Sequence, residues 1–339
     1  MKKFFALMST VLLLTTTLVA CSGNAPTQEG SAGSAAPATE APSRITIATA
    51  TTGGVYYPLG NAMAKLWTEK NNVQAVAQTT SGGVANVNIL KKQEAEVAFV
   101  ENGIVYFAQN GTEMFKDKKV DNLRGLTYLY PNVIQFVVKA DANINSINDL
   151  KGKRFVPGSV GSSTEANARI ILNAYGMDYR ERKDLTVDYM GFSEAAEALK
   201  NGQIDGFAVS GGLPTASIMD VATSADIKIL SIDKDAIAKI KKDFPFYDEF
   251  SIPKDTYKNQ SADVTTVSVA NLLVVRQDLP EDFVYGLTKS MYENLPQLIA
   301  THKAIKDLTK EAALNGMIIP LHEGAKKYYK EIGLDVEGK

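Results

Sequence analysis

Thr51-Thr52-Gly53-Gly54-Val55-Tyr56-Tyr57-Pro58-Leu59-Gly60 stands between a short alternating apolar run, Ile45 to Thr49, and a run in which Leu59, Met63, Leu66 and Trp67 recur at helical spacing. It therefore reads as a turn from a strand into a helix. Its two glycines leave backbone N–H groups bare. The first turn of a helix carries unpaired donors and roughly half a positive charge, so the stretch reads as a place to hold a small anion.

The same unit recurs along the chain. Val73 to Ala77 is a strand, followed by Thr80-Ser81-Gly82-Gly83 and a helix from Val84 to Lys92; Glu96 to Val100 is a third strand, ending in Glu101-Asn102-Gly103 before a helical segment to Gln109. Strands alternating with helices predict a parallel, doubly wound sheet. The β-rich runs Leu126–Leu129 and Ile134–Val138 flank Pro131-Asn132 with no long helix between them, so here the chain crosses to a second lobe.

That lobe repeats the pattern. Arg154 to Val156 leads into Gly158 to Thr164 and a helix from Glu165 to Tyr175; Thr186 to Met190 leads into a helix from Glu194 to Asn201 with Ser193 as its cap; Gly206 to Val209 leads into Ser210-Gly211-Gly212-Leu213-Pro214-Thr215, with Pro214 in the first turn of a helix to Val221. Ile227 to Ile232 is a further strand and Lys234 to Lys242 a helix, followed by a Phe/Tyr/Pro-rich loop. Thr265 to Val275 is the return crossing, and the tail reads as helices at 280–294, 296–306 and 324–332 packed on the first lobe. The expected organisation is α/β: lobe I from 44–133 and 265–339, lobe II from 134–264, with two long crossing segments as a hinge.

Ahead of the folded part, Lys2 and Lys3 precede an apolar stretch from Phe4 to Val19, and Leu18-Val19-Ala20-Cys21 fits a lipobox. Residues 1–20 therefore read as a lipoprotein signal peptide and Cys21 as the acylated residue, while 21–43, rich in Ser, Gly, Ala, Pro, Thr and Glu, read as a flexible tether. A single cysteine excludes a disulfide framework. Removing residues 1–20 takes away two lysines and no acid, which changes 36 basic against 38 acidic residues to 34 against 38, a net charge of −4. That balance speaks against nucleic acid as a partner.

Four small-residue turns, two in each lobe, thus stand between strand and helix, and across a closing cleft they would line one ligand site. The candidates are Thr52, Gly53, Gly54 and Tyr56; Ser81, Gly82 and Asn86; Ser159, Gly161, Ser162, Ser163 and Thr164; and Ser210, Gly211 and Pro214. Glu101 and Asn102, at the carboxyl end of a strand, are placed to accept hydrogen bonds from a ligand ammonium, and Arg169 is a candidate for a ligand carboxylate, or else an exposed helix residue. His302 and His322 have no Cys or acidic cluster at metal spacing, so no metal is expected. The turns match neither the Gly-x-Ser-x-Gly elbow nor a Walker lysine loop, so neither a catalytic role nor a cofactor is expected.

The order and spacing of these motifs resemble the TAXI-type solute receptors of tripartite (TRAP) transporters. The likeness runs from Thr52 to Gly60 and Ser81 to Asn86, through Asp149 to Lys153, Gly161 to Glu165, Gly191 to Ala195 and Gly211 to Thr215, to Phe244 to Tyr247, Leu273 to Arg276 and Ile319 to His322. It implies a two-lobed periplasmic-binding fold of type II. It further implies a small carboxylate ligand such as glutamate, glutamine or a dicarboxylate, and delivery to TRAP membrane subunits. Family members usually carry Gly where this chain has Ala48, Ala50 and Ser162, which makes the first loop here stiffer and gives the other an extra hydroxyl. A module signalling through the same cleft to a membrane kinase is the alternative, and an enzyme on the same fold a more distant one. Ser22 after Cys21 would resemble an outer-membrane sorting signal in a two-membrane cell, parting receptor from transporter, so a Gram-positive, lipid-anchored receptor is expected.

Overall fold

The computed structural model describes residues 40–338. The signal peptide, Cys21 and nearly all of the tether lie outside the described residues. In chain order the strands and helices of the first part are β1 (Arg44–Ala48), α1 (Tyr56–Lys70), β2 (Gln74–Gln78), α2 (Gly83–Lys91), β3 (Val97–Glu101), α3 (Asn102–Asn110) and the long β4 (Leu123–Lys139). Next come β5 (Arg154–Val156), α4 (Ser163–Ala174), β6 (Thr186–Val187), α5 (Phe192–Lys200), β7 (Gly206–Gly211), α6 (Ala216–Ser224), β8 (Ile227–Leu230), α7 (Lys234–Asp243) and β9 (Asp248–Ile252). The chain closes with β10 (Val264–Arg276), α8 (Glu281–Glu293), α9 (Leu295–Ile299) and α10 (Glu323–Glu331).

The strands form one sheet in the order β2-β1-β3-β10-β4-β7-β5-β6, with β8 on β4 and β9 on β10. β4 and β10 hold it together, because each changes partner along its length. β4 pairs with β10 from Leu123 to Val133 and with β7 from Val133 to Val138. β10 pairs with β9 from Val264 to Ser268 and with β3 from Asn271 to Val275. The changeover on β4 falls beside Pro131, whose missing N–H is least costly where a ladder ends. We call the parts on the β1 and β6 sides of this changeover the first and second lobes.

Inside each lobe, apolar periodicity decides the packing. Leu59, Met63, Leu66 and Trp67 on α1 are all buried, and the Trp67 indole donates to the Leu287 carbonyl at 3.1 Å, which fastens α8 of the tail to the first lobe. β3 is buried at all five positions, as a strand covered on both faces must be.

Several expectations are corrected. The sheet is mixed, since β4 and β10 run antiparallel to their neighbours, and the parallel winding is confined to β2-β1-β3 and β7-β5-β6. β4 is one continuous strand through Pro131. Asp248 to Ile252 is a polar-faced edge strand, hidden in the sequence by its charged residues. Ser193 is not the cap of α5; Gly191 is, and it packs tightly against Thr51. Pro214 lies before Thr215, the cap of α6, and so outside that helix. The 296–306 helix stops at Ile299, and His302 instead caps a 3-10 turn by accepting from the Ala304 N–H at 3.0 Å.

Candidate functional site

Strands β1, β2 and β5 lead through turns into helices that start at the site. The turns into α1, α2 and α4, together with the ends of β3 and β7, surround a cavity of about 40 Å³ between the lobes. That is more room than one ordered water requires and far less than a polymer would fill. Gly54, Tyr56, Ser81, Gly82 and Glu101 line it from the first lobe, and Ser159, Ser162, Ser163, Thr164, Ser210 and Gly211 from the second.

One wall is made of helix N-termini. The lobes press together so closely that a methyl group on Gly83 would overlap the Ser163 hydroxyl. α2 begins at Gly82 with φ of 118°, a backbone shape that suits glycine, and this cap has no side chain to satisfy the helix. The Ala85 N–H donates to the Gly161 carbonyl across the lobes at 3.0 Å. On α4 the Ser162 hydroxyl accepts from the Glu165 N–H at 3.0 Å. The earlier N–H groups at Gly83, Ser163 and Thr164 have no protein acceptor among the described residues. Two positive helix ends at such close quarters repel each other unless an anion lies between them. The Ser163 hydroxyl, buried at this junction, is likewise without a partner.

Another part of the lining carries a carboxylate. Glu101, 2% exposed, accepts from Asn132 Nδ2 at 2.9 Å, Asn167 Nδ2 at 2.6 Å and the Ser210 hydroxyl at 2.5 Å. Burial pushes its pKa up, the three donors oppose that shift, and no lysine or arginine offsets it. A buried carboxylate with hydrogen bonds but no cation is an incomplete ion pair. Tyr56 and Tyr130 flank it, and burial holds both phenols far above their usual pKa. Asn132 Nδ2 also donates to the Tyr56 hydroxyl at 3.2 Å, while the buried Tyr130 hydroxyl has no hydrogen bond. The cavity is therefore suited to a small molecule that is negative at one end and rich in donors at the other.

The sequence pattern of the NMT1-like family matches residues 47–333. The chain belongs to the NMT1-like family. Among solved structures, PhnD1 from Prochlorococcus marinus in complex with methylphosphonate is similar at a TM-score of 0.52 and 13% identity, over 78% of this chain and 91% of that one. A protein of Bordetella bronchiseptica RB50 is similar at 0.50 and 18%, over 86% and 81%. The alkanesulfonate-binding protein SsuA from Xanthomonas axonopodis pv. citri, bound to MOPS, gives 0.48 and 14%, over 86% and 85%. The fold of this NMT1-like chain is the two-lobed α/β fold of periplasmic binding proteins, with β4 and β10 as its two crossing segments.

Other expected site residues of the NMT1-like chain stand elsewhere. Asn86 is a structural pin: its buried amide donates to the carbonyls of Ala48, Thr49 and Phe99. Asn102 accepts from the Gly103 N–H and donates weakly to the Gly316 carbonyl. Gly53 abuts Ser193, Gly161 serves the seam through its carbonyl, Thr52 sits on an outer recess with Tyr189, and Pro214 lines a separate recess with Pro131. Arg169 is neither exposed nor in the cavity; it pairs with Glu113 at 3.0 Å. Gly83, in the Gly82-Gly83 turn, also lines the cavity, while sequence reasoning passed over Tyr130 and Phe192, which line it, and Asn132 and Asn167, which hold Glu101. The asparagines could not have been found, since nothing near them in sequence points to Glu101.

Proposed function

We propose that this chain is an extracytoplasmic solute receptor whose lobes close on a small carboxylate that also bears an ammonium group. The observation that carries the reading is Glu101, a buried carboxylate without a cation, facing two helix N-termini without an anion. An amino acid supplies both missing charges. An anion between helix ends gains up to about 2 kcal/mol at each partly buried end, and hydrogen bonds to charged groups add roughly 1.5 to 3 kcal/mol apiece. Several such contacts offset the cost of association, about 4 kcal/mol or more, and leave about −8 kcal/mol, micromolar binding.

In this proposal lobe I comprises residues 44–133 and 265–339, lobe II residues 134–264, and the hinge lies on β4 and β10 where they change partners. The order of motifs supports a TAXI-type receptor serving TRAP membrane subunits. The lipobox supports anchoring through Cys21 on the outer face of a Gram-positive membrane, and among the described residues no helix is long and apolar enough to cross a membrane.

Thermal unfolding against a panel of L-amino acids and di-acids tests the reading. A true ligand at a hundred times its dissociation constant stabilises the fold by about 2.7 kcal/mol. No shift with any member of the panel would reject the ligand class.

A further inference from the structure

Two adjacent residues of one loop act on the surroundings of Glu101, one on the helix it caps and one on its partner Asn167. The loop lies between α7 and β9 in the second lobe. Phe246 lays its ring on Gly103, the second residue of α3, so closely that a Cβ there would fall 3.0 Å from the ring's Cδ2. The ring also meets Tyr106 and Phe107 of the same helix at centroid distances of 5.5 and 5.6 Å. α3 is the helix whose N-cap is Glu101.

Tyr247, fully buried, donates its hydroxyl to Asn167 Oδ1 at 2.6 Å. This bond decides which end of the amide faces Glu101. The two ends of an asparagine amide have nearly the same shape, and only the NH₂ end favours a carboxylate. With Oδ1 occupied by Tyr247, Nδ2 must point at Glu101 and Ser210, as it does. Burial keeps the Tyr247 phenol protonated, so its hydroxyl is able to donate to Oδ1.

We propose that Phe246 and Tyr247 are positioning residues that latch the lobes together and aim Glu101 at the ligand. The aiming rests on the receptor reading above, whereas the latch does not. Phe246 crosses the cleft and grips the helix that starts at Glu101. Tyr247 stays within the second lobe and sets the donor that crosses to the carboxylate. Parting the lobes would undo the Phe246 contact on Gly103 and the Asn167–Glu101 bond at once, so the loop ties closure to the setting of Glu101. Nothing larger than glycine at position 103 leaves room for the ring.

Small-angle scattering of the unliganded full chain tests this. Phe246→Leu, Gly103→Ala and Tyr247→Phe should each lower the ratio of closed to open protein by about tenfold, the scale of one lost aromatic or polar contact. They should do so while leaving circular dichroism unchanged. Phe246→Tyr should keep the wild-type curve. Tyr247→Phe should open the protein no further when added to Asn167→Ala, because both act through one amide. Folded variants with the wild-type curve would overturn the latch, and a full additional effect of Tyr247→Phe on Asn167→Ala would overturn the relay. Since no ligand is added, these results are separate from the fate of the receptor proposal.

Discussion

Asn167 and Glu101 belong to opposite lobes and meet through a 2.6 Å hydrogen bond from Nδ2 to Oε2. The bond forms only when the lobes are together, so closure and the setting of the carboxylate are one event. Asn167→Asp keeps the shape and replaces the donor with a second carboxylate, and two carboxylates at this distance cannot both ionise. A lost hydrogen bond to a charged group is worth about 1.5 to 3 kcal/mol, so calorimetric affinity for the ligand should fall by roughly 10- to 150-fold. Affinity within twofold of wild type would remove Asn167 from the closing contact.

Glu101 also sets a pH dependence. Its pKa in the folded protein is raised from 4.5, chiefly by burial. The folded state therefore binds this proton more tightly than the unfolded chain, and stability present in full below pH 4.5 is lost as pH rises through the folded value. Thermal melts of the unliganded protein should show this decline, and Glu101→Gln should flatten it and raise the melting temperature at neutral pH. An identical pH profile in the variant would mean that the carboxylate is not desolvated as described.

Asn86 should behave as a pin and not as a ligand contact. Its amide satisfies three carbonyls at 3.2, 2.7 and 2.8 Å, on β1, on the turn after it and on β3. Asn86→Ala leaves buried acceptors unpaired and should destabilise the fold by about 1 to 3 kcal/mol in denaturant titration. A variant of wild-type stability that merely binds more weakly would return Asn86 to the binding residues.

Gly83→Ala probes the approach of α2 to α4. The added methyl meets the Ser163 hydroxyl, which must turn away from the junction or part the two helix ends. Each lobe should fold normally, with unchanged circular dichroism, while the dissociation constant rises by about tenfold or more, one lost charge-assisted contact at the helix ends. Wild-type affinity would show that the helix ends need not meet.

What the sequence revealed, and what it hid, follows from the range of the interactions. The turns at Gly54, Ser81-Gly82, Ser159 to Thr164 and Ser210-Gly211 were legible because glycine and serine between an apolar strand and an amphipathic helix are local signals. β10 was legible as an unbroken β-rich run, and β4 as two such runs on either side of Pro131-Asn132, which the structure joins into one strand. β9 was not legible, because Asp248, Glu249 and Ser251 face solvent and its pairing to β10 is decided by the partner strand. Asn132 and Asn167 were hidden for the same reason. Their partner Glu101 lies 31 and 66 residues away along the chain, and an asparagine on a strand or a helix reads as surface until its neighbour is known. Asn86 misled in the opposite sense: its place after a Gly-Gly turn resembled a ligand position, whereas its amide is consumed by three backbone carbonyls.

The central claim is that Glu101 receives a ligand ammonium while the helix N-termini receive a carboxylate. Isothermal titration of the best-binding L-amino acid beside its deaminated analogue, which keeps every carboxylate and loses only the ammonium, tests both halves together. The account predicts that the analogue binds at least about tenfold more weakly, the loss of one charge-assisted hydrogen bond. Equal affinity for the two would contradict it.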